Sequence, residues 1–206
     1  MSEFDKYQFR NIPGLTEASL RALFPTFVPL KTLVIHCIDP RATEIPKAVA
    51  EHFGDEVYPG DVVRNEAGNK VGSTTTLFAI AIAGGRAVGA LQSISTMQHL
   101  ANIKNVVVVH HSFCGATAFS ADGIIDAFKH EHGVDISSEY DRESLCITDY
   151  ERSLKYDVAL LRSSPGVPKH AKLFGFFYNI DSGELTEVVR DAATPSLVRS
   201  LRQACA

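Results

Sequence analysis

Two runs of apolar, β-branched residues along the chain each end in a cluster of polar and reactive side chains. Residues 31–37 read Lys-Thr-Leu-Val-Ile-His-Cys and are followed by Asp39-Pro40-Arg41. Residues 106–109 are four consecutive valines, and His110 to Gly115 follow them. A short, uninterrupted apolar run is typical of a strand that is covered on both faces, as in a parallel sheet. We therefore predict two buried parallel strands.

Amphipathic spacing predicts helices between the strands. Apolar residues recur at helical intervals in residues 45–53, 90–100, 121–132 and 153–161, and a short helical pattern runs from residue 16 to about 23. Gly54, directly after the segment 45–53, is a typical helix stop. Further strands are expected near residues 57–63, at 171–179 and, after the turn Asp181-Ser182-Gly183, at 184–189. The tail from Pro195 is expected to be helical.

This alternation predicts an α/β fold with a mainly parallel central sheet, flanked by helices, and an edge hairpin near the C-terminal end. We assign residues 1–30 to an N-terminal lead-in or helical arm and residues 31–206 to a single α/β domain. In parallel sheets, ligands gather at the carboxyl ends of the strands. Both polar clusters lie at such ends, so they meet if the two strands are neighbours.

Composition and charge argue against two classes of function, nucleic-acid binding and insertion into a membrane. The chain has 206 residues, 45% of them hydrophobic and 21% charged, and a formal net charge of -4. This balance argues against a broad basic surface for nucleic acid. The longest apolar run, about residues 77–88, is interrupted by Gly84, Gly85 and Arg86 and is too short to span a bilayer. Since the first residues also lack signal or transit features, we expect a cytoplasmic protein without a membrane partner.

The two polar clusters together offer the ligands of a metal centre. Cys37, His111 and Cys114 form a Cys2His set, which suits a catalytic zinc with three protein ligands and one open position. Thiolate and imidazole ligands favour zinc over magnesium or calcium. Arg41 can keep the nearby Asp39 carboxylate ionised and oriented through paired hydrogen bonds. Asp39 would then accept a proton from zinc-bound water, or bind the metal as a fourth ligand that closes the site.

Other polar residues near these clusters are expected to have structural roles. His36 and His110 each precede a candidate ligand and are expected to pack or to form hydrogen bonds at the strand ends. If neighbouring residues alternate faces, His110 and His111 cannot both point to one metal. Cys146 and Cys205 have no partner motif and are expected to be structural. Without a metal, the two clusters would hold buried thiols and an ordinary ion pair.

The motif Cys37-x-Asp39-x-Arg41, followed by His111-x-x-Cys114-Gly115, resembles the signature of the β-class carbonic anhydrases. The resemblance covers about residues 30–190, and residues 173–185 resemble the closing hairpin of that family. Residues 60–65 resemble the glycine-aspartate strand that leads to an Arg-Asn pair, here Arg64 and Asn65.

Two departures from the family pattern are visible in the sequence. Residues 83–86 resemble the glycine stretch that normally follows the Arg-Asn pair at once, but here it comes later. Residues 66–82 therefore look like an insertion that would reshape this part of the pocket. Pro40 stands where the family often has serine or alanine; proline fixes φ but leaves the ligand types intact.

The resemblance implies a zinc lyase that reversibly hydrates carbon dioxide to bicarbonate and a proton through zinc-bound hydroxide. It implies that Cys37, His111 and Cys114 bind Zn2+, that Asp39 and Arg41 are the catalytic residues, and that a homodimer or higher homo-oligomer completes an apolar substrate pocket. A smaller branch of the family includes relatives that resemble carbonyl sulfide hydrolases. Hydrolysis of carbonyl sulfide or carbon disulfide is therefore one alternative, and a catalytically silent zinc-binding module is another.

Overall fold

The chain forms a five-stranded sheet with helices on both faces. The computed structural model describes residues 3–191. The strands are β1 (Thr32–Cys37), β2 (Val62–Arg64), β3 (Lys70–Ser73), β4 (Leu77–Ile82), β5 (Asn105–His111), β6 (Lys172–Tyr178) and β7 (Leu185–Asp191). The helices are α1 (Glu17–Phe27), α2 (Ile45–Phe53), α3 (Leu91–Leu100), α4 (Ala121–His132), α5 (Arg142–Leu145) and α6 (Tyr150–Ser163). None of these helices combines the length and the apolar character needed to cross a bilayer.

The central sheet has the strand order β4-β1-β5-β6-β7. The first four strands are parallel, and β7 runs antiparallel to β6 as the last strand of the sheet. The predicted α/β fold, with a mainly parallel sheet and a C-terminal edge hairpin, is therefore confirmed. The tail from Pro195 lies outside the described residues.

Both faces of β1 and β5 are buried, as their apolar runs predict. Leu33 and Ile35 of β1 pack in the same cluster as Ile94 of α3 and Leu161 of α6. On the other face, Val34 packs with residues of α2. Each such fully buried aliphatic side chain contributes about 1.5–3 kcal/mol relative to exposure. The two strands that carry the polar clusters are thus anchored by apolar packing on both faces.

The segment between β1 and β5 differs from the sequence prediction. Residues 66–82 are not simply an insertion, because their last six residues form β4, which pairs in parallel with β1 along its whole length. The residues before β4 include β3, which pairs with β2 in a separate two-stranded sheet. Val57, which was expected to lie in a strand, precedes this hairpin and is not in one.

Candidate metal centre

Strands β1 and β5 are hydrogen-bonded neighbours, and this brings the two polar clusters together. Ligand atoms of Cys37, His111 and Cys114 all lie within 4.8 Å of one another, and the three residues are buried. Within residues 3–191, this is the only group of three or more potential metal ligands that converges in this way. The sequence prediction that two distant loop ends meet is confirmed by this geometry.

The distance between the two thiols matches a shared metal ion. Cys37 Sγ and Cys114 Sγ are 3.8 Å apart. Two sulfur atoms bound to one tetrahedral zinc at about 2.3 Å would lie about 3.8 Å apart, whereas a disulfide requires about 2.05 Å. Both cysteines are free thiols here. The donor set could therefore hold a divalent metal without moving its sulfur atoms.

The third donor, His111, has a lone pair available for the metal. Its Nδ1 lies 2.9 Å from the carbonyl oxygen of Ser112. Because a carbonyl can only accept, Nδ1 carries the proton and Nε2 is left unprotonated. Nε2 is buried and has no hydrogen-bond partner within the described part of the chain. A backbone acceptor that fixes the tautomer in this way is typical of histidines that bind metals.

Burial around the cluster favours the protonated thiols over the thiolates. Ile147 packs on Cys37 and Cys114 and, with the partly buried Ala116 and Tyr150, forms a small apolar cluster. Burial and the neighbouring thiol raise the pKa of Cys114 to about 11. Burial also lowers the pKa of His111, which favours its neutral, ligating form. A cation at this point would supply the charge that two thiolates need.

Asp39 and Arg41 form a tight ion pair at the rim of the cluster. Arg41 donates from Nε to Asp39 Oδ1 at 3.0 Å, from a terminal nitrogen to Oδ2 at 2.6 Å, and from its backbone nitrogen to Oδ1 at 2.9 Å. These bonds hold the pKa of Asp39 well below its usual range. Oδ2 of Asp39 also lies 3.9 Å from Nε2 of His111, so the carboxylate faces the cluster.

The turn after β5 also helps to hold Arg41. Phe113 adopts φ of 55°, a left-handed conformation that bulky residues rarely take. Its carbonyl oxygen accepts a hydrogen bond of 2.9 Å from Arg41. Such strain clusters at functional sites, where the surrounding structure enforces it. The loop between two candidate ligands, His111 and Cys114, is thereby linked to the loop after β1.

A glycine turn packs directly behind the cluster. Gly85 has φ of 66°, and a Cβ at this position would lie 2.8 Å from Val109 O and 3.1 Å from Cys37 N. A side chain would thus meet the backbone of both strands that carry ligands. Glycine is required here by the positive φ and by the close approach.

The residue after this turn, Arg86, belongs to a buried charged network that the sequence analysis missed. Its guanidinium donates to both carboxylate oxygens of Asp157 in α6, at 3.0 and 3.2 Å, and to the carbonyl of Cys146. His110 Nε2 lies 3.2 Å from the same carboxylate. His110 thus faces α6 and not the metal cluster, as the alternation of strand faces predicted. The separation of 71 residues between Arg86 and Asp157 left no local signal.

A cavity of about 770 Å³ opens beside the cluster. Cys37, Asp39, Arg41 and Cys114 line it on one side, and the rest of its lining is mostly apolar or glycine. The apolar side chains are Ile38, Ile82, Val88, Phe119 and Leu145. A small uncharged molecule can therefore reach the candidate centre through an apolar environment.

The Arg-Asn pair suggested by the sequence does not belong to this cavity. Arg64 and Asn65 lie in the β2–β3 hairpin, where Arg64 donates to the carbonyl of Gly68 and Asn65 accepts from the backbone of Asn69. The local resemblance at residues 60–65 therefore does not place this pair at the cavity. The residues that directly precede the glycine turn are Ala81 and Ile82 at the end of β4.

The remaining cysteine and histidine candidates lie outside the donor set. Cys146 is a buried free thiol that is not part of the cluster. His36 is buried on β1, and burial lowers its pKa. Cys205 lies outside the described residues.

Comparison with known proteins links this arrangement to one group of enzymes. No protein-family model matches the chain. Beta-carbonic anhydrase 1 of Mycobacterium tuberculosis is 26% identical over 98 residues, which cover 48% of this chain and 58% of that protein. The same values hold for the Mycobacterium bovis protein of that name. The chain therefore matches a little over half the length of these relatives.

Solved structures extend the similarity to the fold. A carbonic anhydrase from Glaciozyma antarctica superposes with a TM-score of 0.57 at 24% identity, covering 92% of this chain and 100% of the other. One from Streptococcus mutans gives 0.56 at 25% identity, covering 92% and 99%. An apo carbon disulfide hydrolase gives 0.52 at 16% identity, covering 87% and 88%. The resemblance to β-class carbonic anhydrases is thus confirmed in sequence and in fold.

Proposed function

We propose that this protein is a zinc-dependent enzyme that reversibly hydrates carbon dioxide to bicarbonate and a proton. The observation that carries the proposal is the convergence of Cys37, His111 and Cys114 beside an apolar cavity, with their thiols at the separation that tetrahedral zinc requires. The partial sequence match to β-carbonic anhydrases points to the same reaction.

In this proposal, the two cysteines and His111 Nε2 hold the zinc ion. Zinc bound by three protein ligands lowers the pKa of a water molecule to about 7 and so supplies hydroxide at neutral pH. Asp39 is engaged by three hydrogen bonds from Arg41, which favours the open form over a form in which Asp39 is the fourth ligand.

The roles of Asp39 and Arg41 follow from their charges. The carboxylate stays ionised at every physiological pH, because the guanidinium holds its pKa low. It therefore accepts a hydrogen bond from the attacking water and orients it toward the substrate. Arg41 fixes the position of Asp39 and, through Phe113, the loop that carries Cys114. The apolar wall of the cavity suits carbon dioxide, which is linear and uncharged.

The proposal includes a cytoplasmic location and one catalytic domain over residues 31–206, which follows the arm of residues 1–30. It also includes association into homodimers or higher homo-oligomers. Tyr7 and Phe9 in this arm are 75% and 63% exposed. Exposed aromatic residues of this kind favour burial against a second protein surface. The edge strand β4, with its apolar sequence, is a second surface that favours association.

The proposal is tested by metal analysis together with stopped-flow hydration of carbon dioxide. We expect one zinc ion per chain and a hydration rate that rises with pH. Both should be lost together in Cys37→Ala and Cys114→Ala. Cys146→Ala removes a buried thiol outside the cluster and should retain zinc and activity.

The same preparation separates the alternatives. The apolar cavity would also admit carbonyl sulfide or carbon disulfide, so both are assayed beside carbon dioxide. Rapid release of sulfide with negligible hydration would make the protein a hydrolase of these compounds. One zinc per chain with no turnover of any of the three would make it a silent zinc-binding module.

A further inference from the structure

The end of the sheet opposite to the metal cluster carries a row of basic residues. Lys31 and Lys104 directly precede β1 and β5, and Lys172 is the first residue of β6. Their backbones are joined in sequence: the nitrogen of Lys104 donates to Lys31 O, and the nitrogen of Lys172 donates to Lys104 O, both at 2.8 Å. Three neighbouring strands therefore start with lysines at one level; we call these three residues the lysine row.

A fourth cation continues this row on the next strand. Arg190 of β7 is paired in register with Phe174 of β6, two residues beyond Lys172. The lysine row and Arg190 line one cavity of about 640 Å³. This volume is within the range of about 300–1,000 Å³ that small-molecule sites occupy.

The carboxylates of this cavity are already engaged. Asp55 accepts a hydrogen bond from Lys31 at 3.4 Å. Both oxygens of Glu56 accept hydrogen bonds from hydroxyls, those of Thr32 and Thr76. Neither carboxylate forms an ion pair with Lys104 or Lys172 within residues 3–191.

Cations outnumber carboxylates in the lining of this cavity, with Lys31, Lys104, Lys172 and Arg190 against Asp55 and Glu56. The ammonium groups of Lys104 and Lys172 form no ion pair within residues 3–191, and Arg190 is paired with Glu187. Like charges on adjacent strands destabilise a sheet. The clustering of cationic side chains at this cavity is not a consequence of a basic chain, because the chain has a net charge of -4. The sequence after Asp191 adds Arg199 and Arg202 and no acidic side chain.

We propose that the cavity at the lysine row binds a small anion that carries two or more phosphate groups. Lys104 and Lys172 supply ammonium donors, which bind phosphate oxygens through charge-assisted hydrogen bonds. Phe53 and His52 form part of the wall and offer ring surface to an organic group attached to the phosphates. The site lies at the amino ends of the strands, whereas the metal cluster lies at their carboxyl ends.

The experiment is a calorimetric titration of the zinc-loaded protein with inorganic pyrophosphate at about 0.1 M salt. The variant Lys104→Gln/Lys172→Gln removes the two lysine charges that form no ion pair within the described residues. The matched control, Lys47→Gln/Lys70→Gln, makes the same change in net charge at exposed lysines that do not line the cavity. We expect the first variant to bind pyrophosphate at least about tenfold more weakly and the control to match the wild type.

Several results would decide the question. Equal affinity in both double variants would place the anion elsewhere, for example on the metal, and would overturn the proposal. Absence of binding to the wild type at millimolar pyrophosphate would also overturn it. A parallel titration with ATP identifies the source of the phosphates. An affinity equal to that of pyrophosphate points to a free phosphate chain, and a gain of about tenfold points to a nucleotide; both support the site.

Discussion

At the scale of single residues, the candidate centre depends on hydrogen bonds that fix donors before a metal arrives. Ser112 fixes the tautomer of His111, and Arg41 fixes the carboxylate of Asp39. Phe113 adopts a strained backbone conformation in the same loop, and its carbonyl binds Arg41. Such preorganisation reduces the rearrangement that binding and catalysis require.

Asp39→Asn tests the role of the carboxylate at this scale. Asparagine preserves the shape but carries no charge to pair with Arg41 and leaves one acceptor oxygen where the carboxylate has two. We expect zinc content to remain at one per chain and the hydration rate to fall by about 10², the usual cost of misplacing a reacting group. Asp135→Asn removes an exposed carboxylate that does not line the cavity and is the control. Full activity of Asp39→Asn would show that the carboxylate is not needed.

At the scale of secondary-structure elements, the glycine turn after β4 connects the site to α6. Gly85 lies against the backbones of β1 and β5, and Arg86 reaches across to Asp157. The side chains of Arg86 and Asp157 are 5% and 0% exposed. A buried charge without its partner is far more costly than the pair, so this contact fixes the distance between the turn and the helix.

Arg86→Met leaves the Asp157 carboxylate buried and uncompensated. We expect it to lower the free energy of unfolding by about 3–5 kcal/mol. The double variant Arg86→Met/Asp157→Leu removes both charges and should recover about 2 kcal/mol of this loss. A deficit of about 1–3 kcal/mol should remain, because His110 loses its acceptor. Urea unfolding of the three proteins measures both values, and a loss below about 1 kcal/mol in the single variant would contradict this interpretation.

At the scale of the whole molecule, the sheet has different reactive or charged side chains at its two ends. Thiols and imidazole gather at the carboxyl ends of the strands, and the lysine row occupies the amino ends. The interior also contains three histidines on the central strands: His36, His110 and His111. Burial lowers the pKa of each of them.

The buried histidines make the stability of the metal-free protein depend on pH. Their pKa values in the folded state lie below the unfolded value of about 6.5, so the unfolded chain binds protons that the folded chain does not. Stability should therefore fall as the pH decreases below about 6.5, by up to about 1.4 kcal/mol per pH unit for each histidine. Urea unfolding in EDTA at pH 7.5, 6.5 and 5.5 measures this slope, and equal stability at all three values would contradict it.

The sequence predicted the central strands and the convergence of Cys37, His111 and Cys114 because these signals are local. Four consecutive valines identify β5, and the spacing of His111 and Cys114 indicates a candidate ligand pair. Helix α2 was predicted at its observed bounds, Ile45–Phe53, since its amphipathic pattern ends in Gly54 with positive φ.

The sequence misled where a non-local contact decides the structure. Strand β4 reads Leu-Phe-Ala-Ile-Ala-Ile and continues into a glycine turn without a polar boundary. The segment resembles part of an insertion because the glycine stretch of residues 83–86 comes later than the family pattern places it. Arg64 and Asn65 matched a local motif, but pairing of β4 with β1 fixes which residues precede the turn. Arg86 and Asp157 each look like ordinary surface charges in the sequence.

The placement of all three metal donors beside the two central strands has a further consequence. These strands are anchored by apolar packing on both faces, and that packing does not involve the donors. We therefore expect the proposed metal site to be preformed in the metal-free protein, and the scaffold to stay folded after demetallation. On the same proposal, the rate of metal exchange is set by brief local opening of the loops around Asp39 and Phe113, and metal can be restored without refolding.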